Sequence, residues 1–204
     1  MDDWKQVVRA GYNSITQEYL KLRSETSADV TLLDDLLEQL PMGARVLDAG
    51  CGAGVPVTWV LGQRCNVIGL DLAEAQLRLA RQLVQGVCLV CQDMTHLGFP
   101  DDTFDAICSY YAIIHVPRTE HRRLLLEFHR VLRPGSLMLV CMGLGDLEND
   151  VADYCGSPMY WSHYDGKTNL GLIQRCGFEV IWSRPVRDAT DRDAAHLFAL
   201  ARKT

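Results

Sequence analysis

One nine-residue stretch, Val46-Leu47-Asp48-Ala49-Gly50-Cys51-Gly52-Ala53-Gly54, constrains the fold more than any other. An apolar run ends in an acid, and three glycines follow at alternate positions. Val46-Leu47 reads as a buried parallel strand with an abrupt turn after it. Glycine suits such a turn when a ligand must lie against the backbone, because it has no Cβ and tolerates positive φ. Residues 55–61 would then open a helix whose first N–H groups face the ligand. The stretch predicts a nucleotide-type cradle at the carboxyl end of a strand and leaves the nucleotide open.

Around this turn, short apolar runs alternate with helical patterns. Strands are expected at 45–49, 66–70, 87–91, 104–109, 136–142, 178–183 and 196–201, and helices at 72–84, 119–132 and 169–176. Such alternation argues for an α/β fold, a parallel sheet covered on both faces. The last two strands are joined by a polar link, 184–194, with no helical pattern, so they should pair antiparallel. Residues 1–40 read as two helices. Trp4, Val7, Val8, Tyr12, Ile15 and Tyr19 recur at three- and four-residue steps, and Val30, Leu33, Leu36, Leu37 and Leu40 mark a second helix from about residue 29. The aromatic stripe packs in the core or forms a lid over a cofactor. No repeat or linker divides the chain, which reads as one domain, 1–204, with 1–40 as a helical lid and 143–165 as an insertion on the substrate side.

Composition narrows the function. The 204 residues carry a formal net charge of −6, and Arg122-Arg123 and Arg202-Lys203 are the only basic doublets. A nucleic-acid surface would be basic, so nucleic acid is not the expected partner. The acidic start, Met1-Asp2-Asp3-Trp4-Lys5, is no secretory signal. No run reaches the roughly 18 apolar residues of a membrane span. The expected compartment is the cytoplasm, where the eight cysteines are reduced thiols. Cys65, Cys88, Cys91, Cys108 and Cys141 lie in or beside apolar runs, as small hydrophobes do. Cys88 and Cys91 have zinc-ligand spacing, but no second pair completes a site, so no metal is expected.

The acids at strand ends choose the nucleotide. Asp71 stands 21 residues past Gly50, where a carboxylate can accept from both hydroxyls of an adenosine ribose. The dinucleotide fingerprint requires a glycine at position 55, which is Val55. Asp48 would also sit beside two phosphates. An acid there suits a ligand with a cationic end, and charge therefore favours S-adenosylmethionine over NAD.

Taken together, these motifs resemble the class I S-adenosylmethionine-dependent methyltransferases of the small-molecule kind, like the type 11 family. The resemblance rests on the glycine stretch, Gly69-Leu70-Asp71-Leu72, Gln92-Asp93-Met94, the 99–105 approach to the fourth strand, Leu132-Arg133-Pro134-Gly135-Ser136, and Gly177-Phe178-Glu179-Val180. Tyr12-Asn13-Ser14-Ile15 through Tyr19 resembles the family's N-terminal helix over the cofactor. The resemblance covers nearly the whole chain. It implies a Rossmann-like three-layer sandwich with a seven-stranded, mostly parallel sheet and an antiparallel last strand. It also implies that Gly50 and Gly52 approach the cofactor, Asp48 supports its amino acid end, and Tyr19 covers it. Asp71 takes the ribose, Leu72 and Met94 pack on the adenine, and Asp93 accepts from the adenine amino group. The Ser109 carbonyl faces the ammonium.

Methyl transfer is an in-line displacement that needs a base only if the acceptor must lose a proton. His115 is a base candidate or a loop cap, and His163 is the second candidate. Tyr12, Tyr111, Tyr160 and Trp161 are candidates to line an acceptor pocket, although the 154–164 cluster could equally be a loop packed by its own side chains. Asp146, Glu148, Asp150 and Asp153 form a solvated rim or favour a cationic acceptor. No Asn/Asp-Pro-Pro-Tyr motif follows the fourth strand, where Ser109-Tyr110-Tyr111 stands, which argues against methylation of a nucleobase amine. The expected activity is methyl transfer to O or N of a small molecule, leaving S-adenosylhomocysteine, by a monomer or homodimer. The alternatives are a catalytically silent cofactor-binding module and a protein or RNA methyltransferase.

Overall fold

The computed structural model describes residues 3–23, 27–187 and 194–204. Its strands are β1 (Arg45–Ala49), β2 (Asn66–Asp71), β3 (Cys88–Cys91), β4 (Phe104–Ser109), β5 (Leu132–Gly143), β6 (Leu147–Tyr154), β7 (Ser157–His163), β8 (Phe178–Arg187) and β9 (Ala195–Lys203). Seven of them form one sheet in the order β3-β2-β1-β4-β5-β9-β8. The pairs from β3 to β5 are parallel, and β9 runs antiparallel between β5 and β8. The chain steps outward from β1 to β3, then returns to the other side of β1 at β4. That reversal is a switch point, where the loops after β1 and β4 part to leave a crevice.

Alternation along the strands assigns each side chain to a face. Leu47, Ile107 and Met138 pack against Leu124, Phe128 and Ile173 of α6 (His121–Val131) and α7 (Gly166–Arg175). Val46, Ala106, Cys108 and Leu139 pack against Leu33, Leu36 and Leu61 of α3 (Leu32–Leu37) and α4 (Val57–Gly62). Phe128, wholly buried, would cost about 3–5 kcal/mol if cut to alanine. α5 (Glu74–Leu83) follows β2, with Leu77 and Ala80 inward. Among the described residues no helix is long and apolar enough to cross a membrane.

Several boundaries differ from expectation for local reasons. The first helix is broken into α1 (Asp3–Ser14) and α2 (Thr16–Leu22) at Ile15. There Ser14 Oγ donates to the Gly11 carbonyl and Thr16 Oγ1 to that of Tyr12, at 2.8 and 2.7 Å. Hydroxyls that bond back to the preceding turn bend helices. α3 begins at Leu32, later than the apolar pattern suggested. The helix after the glycine turn starts at Val57 rather than Val55. β8 runs on to Arg187 because Arg187 pairs with Ala195, so the first part of the polar link is strand and its middle lies outside the described residues. β3 is a sheet edge, which leaves Cys88 and Cys91 exposed rather than in the core.

The largest departure is at 143–165. β6 and β7 form a separate antiparallel hairpin, with Tyr154 opposite Ser157. Cys155 and Gly156 both have positive φ, at 57° and 84°, which is the type I′ turn that suits strand twist. β7 packs on α1 so closely that a Cβ at Gly11 would lie 2.9 Å from the Pro158 carbonyl oxygen.

Candidate active site

The glycine turn closes over the end of β2. Gly50 and Cys51 both donate their N–H to the Leu70 carbonyl, at 2.7 and 2.9 Å. Gly50 has φ of 86°, and a Cβ there would lie 2.2 Å from Ala112 Cβ. The loop after β4 therefore presses on the turn across the switch point. Asp71, at the end of β2, accepts from the Gly52 and Ala73 N–H groups, both at 2.8 Å. Burial raises its carboxyl above the usual value, and these backbone bonds oppose the rise.

These residues open on one shared cavity. Gly50, Gly52, Asp71, Leu72, Asp93 and Met94 form its sheet side. Trp4, Val8, Tyr12 and Tyr19, from α1 and α2, form its roof, and Tyr111 and His115 complete the wall beyond β4. The fold thus brings Tyr12, Tyr19, Tyr111 and His115 together with the expected cofactor residues.

α1 is fastened as a roof by polar contacts along its length. Lys5 pairs with Asp93 at 2.9 Å, Arg9 pairs with Glu74, and Asn13 Oδ1 accepts from the Ala75 N–H at 2.8 Å. Asp93 Oδ1 also accepts from the Thr95 N–H and hydroxyl, both at 2.8 Å. Burial works against ionisation of Asp93, but the bonds to Lys5 and Thr95 outweigh it and hold its carboxyl below the usual range.

At the roof's centre the Tyr12 hydroxyl meets His115 Nε2 at 2.8 Å, and His115 Nδ1 meets the Tyr160 carbonyl at 2.7 Å. A carbonyl only accepts, so Nδ1 carries the proton and Nε2 accepts from Tyr12. Burial lowers His115 to a pKa of about 4, so the ring is neutral at pH 7.

A second chamber lies on the other side of the turn, lined by Tyr19, Arg23, Asp48, Gly50, Gly52 and Tyr111 among others. Asp48 is 1% exposed and accepts from the Thr58 hydroxyl at 2.6 Å. Burial pushes it up to about 7, Thr58 opposing and nearby Asp71 adding. Arg23 pairs with Asp29 at 2.9 Å and lies over the Tyr111 ring at 4.7 Å. An acid and a guanidinium on either side of a glycine turn suit the zwitterionic end of an amino acid.

Four expected residues stand outside both chambers. Ser109 is buried behind the wall, its hydroxyl donating to the Ala49 carbonyl at 2.7 Å. Tyr160, Trp161 and His163 are on β7, behind His115 rather than in front of it. Tyr160 bonds Asn149, Trp161 packs on His115 at 5.8 Å, and His163 Nδ1 bonds the Gly145 carbonyl at 2.8 Å. Hairpin pairing turns these side chains into supports for the wall, so His163 is not placed as a base. The acidic rim is partly neutralised, since Arg118 pairs with both Asp146 and Glu148.

Other residues of the site carry no sequence motif. Arg23 falls in none of the motifs. Gln76 is 1% exposed, and its Oε1 is buried without a partner among the described residues, 3.7 Å from where a Cβ on Gly52 would sit. Trp4 Nε1 is likewise buried and unpartnered. An acceptor and a donor left open in the walls of one cavity fit a ligand with hydroxyl and carbonyl or ring-nitrogen groups.

Comparison with known proteins agrees with this geometry. Residues 47–140 match the family model of a methyltransferase domain. Methyltransferase GfsG from Streptomyces halstedii is 33% identical over 176 residues, 78% of this chain and 62% of GfsG. The chain thus spans less than two thirds of that relative. Among solved structures, 1,6-didemethyltoxoflavin-N1-methyltransferase from Burkholderia thailandensis, with 1,6-didemethyltoxoflavin and S-adenosylhomocysteine bound, superposes with a TM-score of 0.78 at 20% identity, over 99% of this chain and 89% of that one. The cyclase SpnF shares the fold at a TM-score of 0.74 and 21% identity, over 99% and 97%. Residues 47–140 thus match a methyltransferase domain, and the fold is that of the class I S-adenosylmethionine-dependent methyltransferase family. The cofactor of that family is S-adenosylmethionine, and the open polar atoms, the positive-φ glycines and the acids at the strand ends fit it.

Proposed function

We propose that this protein transfers a methyl group from S-adenosylmethionine to an oxygen or nitrogen of a small-molecule acceptor by in-line displacement. The observation that carries the reading is a single roofed cavity joining the Gly50–Gly52 turn, Asp71 and Asp93 to a neutral histidine. When bound, S-adenosylmethionine supplies a methyl group already activated by its sulfonium. Asp71, fixed by two backbone amides, accepts from the ribose hydroxyls, and Gln76 Oε1 offers a further acceptor beside it. Asp93 has lone pairs beyond those used by Lys5 and Thr95 and takes the adenine amino group, with Leu72 and Met94 on the ring faces. Asp48 and Arg23 flank the amino acid end. The roof excludes water and holds the acceptor against the methyl group, and that positioning is the main source of acceleration.

A cavity roofed by α1 and α2 suits a metabolite better than a protein side chain or a nucleotide in a strand, and the acidic net charge agrees. The eight free cysteines fit the cytoplasm. Titration calorimetry with S-adenosylmethionine and with S-adenosylhomocysteine tests the reading. Binding of both is expected, with methyl release on adding acceptors. Binding of neither overturns it, and binding with no turnover on any acceptor favours a silent module.

A further inference from the structure

We propose that the acceptor is an aryl hydroxyl methylated at its oxygen, that His115 Nε2 receives its proton, and that the Tyr12 hydroxyl marks the position of that oxygen. The inference rests on the methyltransferase reading and narrows its acceptor.

The chain from Tyr12 through His115 to the Tyr160 carbonyl fixes the direction of proton movement. Nδ1 is committed to a carbonyl at 2.7 Å, so Nε2 is the acceptor and has one lone pair to offer. The Tyr12 hydroxyl uses it at 2.8 Å. The cavity therefore already holds a phenol against its only lining imidazole among the described residues. The Tyr12 ring is edge-on to Tyr19 at 5.2 Å and to the His115 ring at 5.3 Å, so an aromatic ring is accommodated there in favourable geometry.

Charge points the same way. The roof and the wall beyond β4 present Trp4, Val8, Tyr111, Ala112 and Val116 around this pair. None carries a charge. The cavity's carboxylates, Asp71 and Asp93, are at the ends of β2 and β3 and are already bonded to backbone, Thr95 or Lys5. A basic alkylamine would have to shed its proton to attack, and its protonated form would meet the cofactor's sulfonium with no counter-ion of its own, whereas a neutral phenol meets no such penalty.

The step balances without another reactant. A lone pair of the acceptor oxygen forms the O–C bond while the C–S bond breaks and its electron pair goes to sulfur. The hydroxyl proton passes to Nε2, and the imidazolium later yields it to water. The products are an aryl methyl ether, S-adenosylhomocysteine and one proton. A buried neutral imidazole is too weak to ionise a phenol beforehand. It suffices once the O–C bond forms, because an oxygen becoming an oxonium is strongly acidic.

The test uses naphthol, naphthylamine and naphthalene with the full chain. With S-adenosylhomocysteine present, naphthol should bind at least tenfold more tightly than either of the others by calorimetry. It should also shift the ¹⁵N resonance of His115 Nε2 while Nδ1 stays protonated. With S-adenosylmethionine, naphthol should yield its methyl ether, and His115→Ala should lower kcat at least 100-fold, the low end for a lost general base. Tyr12→Phe should lower the naphthol KM about fivefold, because Nε2 no longer has to be vacated. A role in packing alone would not improve KM. Equal binding of naphthol and naphthylamine, an unmoved Nε2 resonance, methylation at nitrogen or ring carbon, no ether formed, or a raised KM in Tyr12→Phe would each overturn the inference. Failure to bind S-adenosylhomocysteine would show before any acceptor is added, and would overturn the methyltransferase reading and this inference with it.

Discussion

The cavity has two walls of different construction. The cradle wall is backbone. The turn at Gly50–Gly52 hangs from the Leu70 carbonyl, and Asp71 is gripped by two amides from residues close in sequence to the turn and to itself. The roof is side chain. α1 reaches Asp93, Glu74, Ala75 and His115 through Lys5, Arg9, Asn13 and Tyr12, and the Tyr12–His115 contact joins residues 103 apart in the chain. Backbone bonds made by a sheet register open only when the sheet opens. Side-chain bonds from one helix can release together while the sheet stays intact. The cradle thus rests on backbone bonds, and the roof on side chains.

If that division is right, the largest effects come from the cradle. Gly50→Ala places a Cβ 2.2 Å from Ala112 Cβ at a φ of 86°. Strain of about 1–3 kcal/mol adds to overpacking of about 1–3 kcal/mol. Affinity for S-adenosylhomocysteine should fall by about 100-fold or more. Unchanged affinity by calorimetry would mean the loop after β4 yields easily and the cradle is not rigid. Asp71→Ala comes next. It loses a charge-assisted bond to the ribose and strands the Gly52 N–H, which should weaken binding by about 1.5–3 kcal/mol. Wild-type affinity in that variant would remove Asp71 from the site.

The same division decides what could be read from the chain. The cradle was legible because its demands are local. A positive φ calls for glycine at Gly50 and Gly52, and a strand end calls for an acid at Asp71, each at a fixed place in a short stretch. The strands were legible because burial on both faces makes continuous apolar runs. The roof and the far wall were not. Arg23 and Gln76 matter only through partners brought to them by folding. Tyr160, Trp161 and His163 looked like pocket residues by composition, but a Cys155-Gly156 turn pairs β6 with β7 and sets them behind His115. That turn lacks the Asn or Asp that marks such hairpins, and acid-rich β6 lacks an apolar face. His115 was left as base or cap. The structure makes it a cap through Nδ1 and leaves Nε2 facing Tyr12.

A third expectation concerns pH. Asp48 belongs to the cradle, and burial raises it to about 7. Its unfolded value is about 4. The folded chain therefore keeps a proton that the unfolded chain has lost between about pH 4 and 7. Stability from this group is complete below about pH 4 and is lost as pH rises through 7. His115 and His121, lowered to about 4 chiefly by burial, act in the opposite sense. Their stability is complete above about 6.5 and is lost as pH falls toward 4. Wild-type Tm alone mixes the two. Asp48→Asn isolates the acid, and the variant should gain about 2 kcal/mol on wild type as pH goes from 5 to 7. A difference flat in pH would mean that Asp48 is ionised throughout and that the cradle presents a full charge to the cofactor.

The smallest effect is expected at the roof, and it is the sharpest test of the division. Lys5 and Asp93 form a mostly buried pair at 2.9 Å, with side chains 14% and 24% exposed. A pair of this kind contributes about 1 kcal/mol. Asp93 Oδ1 already takes two donors from Thr95, while Oδ2 takes only Lys5 among the described residues and keeps room for a second donor. The adenine amino group therefore does not have to displace Lys5, and Lys5 does not create the adenine site. Lys5→Ala should speed amide exchange of α1 about fivefold and leave exchange of β1 and β2 unchanged, with less than a fivefold change in S-adenosylhomocysteine affinity. If the variant instead loses as much affinity as Asp71→Ala, with exchange in β1 and β2 rising together with that of α1, the roof and the cradle open as one unit. The α1 contacts would then be part of the fold's foundation rather than a fastening on it.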